Sequence, residues 1–299
     1  MVAACGRAVG YLGLACLGGG AIVMPELDSK EADDRVLPLT RGIAAVIVPF
    51  LVVGFAVLYL WPGDTDRLFA WHIRPTMTAM VLGSAYLGGA YFFICAARTR
   101  TWHRVKAGFV PVAVFASLMG IATIVHWNRF HHGHVAFWLW VLLYFTTPFL
   151  IVLAWLRNRR HDVPADADAL LLSVLGARVI AAVGVLALVW GLFLYLLPAA
   201  AVALWPWPLT PLTARVLGAV TCLGVAGIGA LVDRRWSSAR LPFQVAGVML
   251  TAILVAGVRA RTEFDPGNVL TWLLAAGFVG VTAAVAVVYW RMELRTRQR

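Results

Sequence analysis

Charge is scarce in this chain and lysine nearly missing: 299 residues carry 25 Lys and Arg against 14 Asp and Glu, and Lys30 and Lys106 are the only lysines. With 62% hydrophobic residues, 13% charged and a mean hydropathy of +0.84, no stretch is polar enough for a separate soluble domain. The net charge of +11 lies scattered over short connections, and without a basic face or stripe it does not indicate nucleic acid. The four cysteines, Cys5, Cys16, Cys95 and Cys222, form no CxxC pair, so neither a disulfide framework nor a thiol redox motif is indicated. HExxH, a nucleophile elbow, a phosphate-cradling glycine loop and a close carboxylate pair are all missing, which leaves enzymatic activity without support.

What remains is apolar length. Runs near the roughly 20 residues that cross a ~30 Å hydrocarbon layer recur along the chain. They predict an all-α, polytopic membrane protein with spans at 42–61, 76–97, 109–125, 135–156, 179–197, 216–232, 241–258 and 269–290. The stretch AAAVALWPWPL is too short to cross and reads as an interfacial or re-entrant connection. Arginine, which resists translocation, concentrates in alternate connections: Arg98 to Lys106, Arg157 to Arg178, Arg234 to Arg240, and the tail from Arg291. These connections and the C-terminus are therefore expected in the cytoplasm, in a multi-pass protein of a bacterial plasma membrane. Before the spans, VGYLGLACLGGGAIVM reads as a weak ninth apolar segment, with no convincing cleavage site behind it.

The second half resembles the first. Trp71 and Pro75 match Trp207 and Pro211, each 136 positions later, while Trp102, Phe130 and Trp138 match Trp236, Phe264 and Trp272, each 134 later. Two four-helix repeats with an even number of spans enter and leave on the same side, so they are parallel repeats about an axis along the membrane normal. The expected organisation is an N-terminal segment 1–40, a first repeat 41–160, a linker 161–177, a second repeat 178–292 and a basic tail 293–299.

Inside the spans, no ionisable Asp, Glu, Lys or Arg lies near mid-membrane, which argues against a proton- or sodium-driven pump. Small residues are dense in the second and sixth spans: Gly83, Ser84, Gly88 and Gly89, then Gly218, Gly224 and Gly227. They predict close helix packing, against each other at the repeat axis or against any neighbour. Thr147 and Pro148 predict a kink in the fourth span.

The stretch HWNRFHHGH, residues 126–134, holds four of the seven histidines. His126, His131, His132 and His134 form a candidate transition-metal site, and a haem is conceivable if His126 is joined by His72. The lack of a standard ligand spacing favours a solvated loop instead. His72, Arg74, His126 and Arg129 also make a candidate outer rim for a small anionic ligand.

Three functions follow from these features. A permease-like or small-molecule- or lipid-binding protein with its site between the repeats comes first. A scaffold or accessory subunit that meets a protein partner through its membrane faces comes second, and a metal- or haem-binding redox protein third.

Overall fold

The computed structural model describes residues 33–165 and 168–298. The expected N-terminal apolar segment lies outside them. Regular structure among the described residues is entirely helical, apart from two isolated β-bridges. Eight helices are long and apolar enough to cross a membrane: α1 Pro38–Leu60, α2 Thr76–Arg98, α3 Lys106–Val125, α4 Val135–His161, α5 Val174–Leu196, α6 Pro211–Val232, α7 Trp236–Arg259 and α8 Val269–Arg297. All eight expected spans are there, most of them longer than hydropathy alone marks.

The helices alternate in direction between two ends, one rich in arginine and one that carries HWNRFHHGH. The stretch AAAVALWPWPL begins as the short helix Pro198–Leu204 and then turns into α6, whose start is fixed by a capping box between Thr210 and Thr213. The expected linker is not free chain: Leu172 N–H donates to the Arg234 carbonyl at 2.8 Å, and α5 starts at Val174 with Ser173 as its cap.

α2 is the most buried helix, packed on α1 and α7, with 72% of its most apolar window enclosed; for α8 the figure is 6%. Two local departures from the α-helix and one proline matter. Residues Ala56–Leu60 of α1 form a π turn, which frees the Tyr59 carbonyl to accept from Arg259 Nη1 at 2.7 Å. Residues Cys222–Ile228 of α6 tighten into a 3₁₀ run. Pro148 does not interrupt α4, which is helical through Val135–Asn158. The proline leaves the Tyr144 carbonyl without its helical donor, and Gly120 of α3 lies against that oxygen, where a Cβ would come within 3.0 Å.

Contacts in the first half recur in the second. Val36 N–H donates to Arg100 O and Leu172 N–H to Arg234 O; His131 N–H donates to Ala70 O and Asp265 N–H to Pro206 O. The indole of Trp138 donates to His132 O and that of Trp272 to Pro266 O, both at 3.0 Å. Between the halves the hydroxyl of Tyr59 in α1 reaches Ala252 O in α7 at 2.8 Å, and that of Tyr195 in α5 reaches Leu118 O in α3 at 2.7 Å.

Candidate functional site

A cavity of about 690 Å³ is lined by side chains from all eight helices. Its wall is apolar nearly throughout. Gly89, Gly184, Gly224, Gly227 and Gly277 contribute bare backbone, and Tyr86, Tyr144, Trp190, Trp205 and Trp207 contribute rings. Val183 and Leu186 of α5 and Leu273 of α8 line the cavity and are also 46%, 70% and 63% exposed, so it opens sideways between those helices. An opening of that kind faces hydrocarbon, not water, in a membrane.

The predicted glycines sit at close helix approaches, though not against one another. Gly83 faces Leu58 and Tyr59 of α1, Gly89 faces Leu51, and Gly88 faces Val245 and Met249 of α7. Buried Ser84 turns its hydroxyl back onto the Met80 carbonyl. Gly218 meets Gly191 and Tyr195, while Gly224 and Gly227 both meet Gly184, all on α5. Sequence reading misses Gly184 and Gly191, although a separation of seven residues places them on one face of α5.

Among the described residues, Asp233 is the one charged side chain in the cavity lining, at the arginine-rich end. Its carboxylate binds Arg235 Nη2 at 2.7 Å and Lys106 Nζ at 2.9 Å, and Lys106 also binds Asp162 at 2.7 Å. Burial alone would raise the Asp233 pKa, but its bonds to Arg235, Lys106 and Ser238 hold the carboxyl well below the ordinary carboxylate range. The cluster joins the start of α3 and the residue after α4 to the turn before α7, and its two cations and two anions balance. Lys106 and Arg235 read as topology signals in the sequence; the acids Asp162 and Asp233 in the same connections are the sign that such a reading overlooks.

At the other end the histidines divide among separate settings. His126 Nε2 accepts from Arg215 Nη1 at 2.7 Å, and burial, with the Arg215 and Arg129 charges, lowers its pKa below the usual imidazole value. His132 packs on Trp127 and edge-on to Phe137. The rings of His131 and His134 lie 4.9 Å apart, and His131 Nε2 is 3.2 Å from Asp66 Oδ1, with His72 Nδ1 3.6 Å from the same oxygen. Among the described residues, no three His, Cys, Asp or Glu side chains are grouped to hold a metal ion. Of the predicted rim, Arg74 and Arg129 are exposed, whereas His72 turns to Asp66 and His126 to Arg215.

Polar contacts within the helices are few and specific. The Tyr86 and Tyr144 hydroxyls meet at 2.7 Å, Trp140 Nε1 donates to Thr123 Oγ1 at 2.9 Å, and Thr40 donates to Asn158 Oδ1 in a short bond. Each of these three bonds ends on α4. Glu263, from the loop before α8, accepts from Thr76 N–H at 2.9 Å and Met77 N–H at 2.8 Å and so caps α2. Comparison with known families, with curated proteins and with solved structures returned no match.

Proposed function

We propose that this integral membrane protein is a permease-like or binding protein for an apolar small molecule or lipid, held between two parallel four-helix repeats. The repeats support each other's reading through the Tyr59–Ala252 and Tyr195–Leu118 bonds, in which each half offers the other the same element. In this reading the arginine-rich ends and the C-terminus face the cytoplasm and the membrane is the plasma membrane. The observation that carries the proposal is the cavity. Its volume falls within the roughly 300–1,000 Å³ of small-molecule sites, and its apolar wall suits a ligand that partitions into lipid.

Purification from native membrane in mild detergent, followed by mass spectrometry of what is retained, tests the proposal. One apolar molecule per chain is expected, and Ala246→Phe, which adds bulk to the cavity wall, should reduce it severalfold. Retention of nothing, or retention unaffected by that substitution, overturns it. The exposed length of α8 favours a second reading, an accessory subunit that meets a protein partner there; a partner recovered at equal amount in the same purification identifies it.

A further inference from the structure

Hydrogen bonding along the cavity wall is incomplete in one place. Trp207 and Ser238 of the lining are both buried and both bonded, Trp207 Nε1 to Thr78 Oγ1 and Ser238 Oγ to Asp233 Oδ2, each at 2.9 Å. Tyr86 of α2 and Tyr144 and Thr147 of α4 differ from them. All three line the cavity, and they are 3%, 3% and 5% exposed. Tyr144 and Thr147, one helical turn apart, share a face of α4.

The two tyrosine hydroxyls meet at 2.7 Å, and either can donate. A hydroxyl carries one hydrogen, so whichever donates, the other keeps a hydrogen with no acceptor among the described residues. Thr147 is less satisfied still. Buried Ser84 and Thr123 turn their hydroxyls onto the carbonyl four residues earlier, but that of Thr147 bonds to nothing among the described residues. The indole N–H groups of Trp71 and Trp205 are also unpartnered, yet those atoms are sealed from any visitor. The Thr147 oxygen is not sealed, and in a buried side chain of the cavity wall its open surface belongs to the cavity. Counting 134 positions on from Tyr144 and Thr147 gives Phe278 and Val281, which line the cavity without an oxygen, so helix packing alone does not call for hydroxyls.

We infer that Tyr86, Tyr144 and Thr147 hold the polar group of a neutral lipid with an uncharged oxygen on a hydrocarbon chain, the class of long-chain alcohols and acyl esters. The oxygen accepts from the spare tyrosine hydrogen and from Thr147, and the chain lies along the apolar wall. Tyr86 is ten residues from the start of α2 (86 minus 76), about 15 Å at 1.5 Å per residue, so the polar group sits deep in the bilayer. A charged head is costly at that depth. Among the described residues the one charged side chain of the lining, Asp233, is already paired at the arginine-rich end.

The inference rests on the ligand-binding reading. Its test offers the full-length protein, stripped of lipid in detergent, equal amounts of four chains of sixteen carbons: hexadecan-1-ol, methyl palmitate, hexadecane and palmitate. Mass spectrometry then counts what each chain retains. The alcohol and the ester should exceed hexadecane about fivefold, the effect of one hydrogen bond, and palmitate should not exceed it. Thr147→Val removes a hydroxyl that no protein group uses, so it should lower this preference severalfold and leave the melting temperature unchanged. Tyr86→Phe with Tyr144→Phe removes both members of the pair, strands neither hydroxyl and should lower the preference likewise. Equal retention of the four, a preference for palmitate, or a preference for oxygen that survives both variants overturns the inference. Should the double variant fail to fold, Thr147→Val decides alone. If all four are retained equally and lost on Ala246→Phe, the oxygen class falls and the broader reading stands; if none is retained, both fall.

Discussion

α4 and α8, each the last of four apolar helices in its half of the chain, are held in different ways. Deep in the first half, α4 is fastened to α1 by Thr40 and Asn158, to α2 by the Tyr86–Tyr144 pair and to α3 by Trp140 and Thr123. Counting 136 positions on from Thr40 gives Gly176, and 134 on from Thr123, Trp140, Tyr144 and Asn158 gives Gly257, Leu274, Phe278 and Met292, so none of these bonds has a like pair there. α8 is tied to its neighbours near its ends instead, by Gln244 to Tyr289 and by Trp236 and Arg240 to Glu293 toward the arginine-rich end, and by Asn268 to Leu204 O at the other. α4 carries three buried side-chain bonds to three neighbours, whereas α8 lines the open side of the cavity. The lesson is that two helices of equal mean hydropathy can differ sharply in how they are held.

The largest break in this contrast comes from Asn158→Leu. It strips the partner from the Thr40 hydroxyl and the Arg35 carbonyl and should cost about 2–3 kcal/mol, read as a lower melting temperature in detergent. Met292→Leu, at the matching position, conserves volume and should cost under about 1.5 kcal/mol. A smaller effect is expected for Thr123→Val, which strands the Trp140 N–H at a cost of about 1 kcal/mol within a membrane. At its counterpart Gly257, an added Cβ would meet no atom within 4 Å, so Gly257→Ala should leave the melting temperature unchanged. Equal losses in the two halves would erase the distinction.

The smallest effect concerns pH. At the histidine-rich end several bonds join the halves, among them Arg215 to His126, Arg259 to the Tyr59 carbonyl and Glu263 to the first turn of α2. The first of these depends on an imidazole. The His126 pKa is lowered in the folded chain, so its contribution is fully present above the ordinary imidazole pKa and is lost as pH falls through the lowered value. Thermal stability should therefore decline modestly on acidification from neutrality, and His126→Gln should flatten that part of the profile. An identical decline in the variant would assign it elsewhere.

Hydropathy locates all eight helices because lipid leaves the backbone few ways to satisfy itself. It undershoots α4, α5 and α8 because their polar, arginine-bearing turns continue the helix past the apolar run. The π turn of α1 and the 3₁₀ run of α6 leave no pattern to read. Adjacency in sequence misleads most at HWNRFHHGH, where His126 turns to Arg215, His132 packs on Trp127 and Phe137, and only His131 and His134 lie together. The cavity is equally hidden, since residues from all eight helices line it and no single stretch of sequence shows it. What faces the carbonyl that Pro148 frees is equally illegible beside the proline, since Gly120 belongs to another helix.

Glu263 has one more consequence. Its carboxylate caps α2 from 187 positions away (263 minus 76), in the loop before the final helix. A ribosome delivers the bonds that fasten α4 as soon as residue 158 has emerged, yet the first turn of the most enclosed helix must wait for the seventh helix and the turn beyond it. The order of synthesis thus leaves the start of that helix uncapped until the loop before α8 has been made.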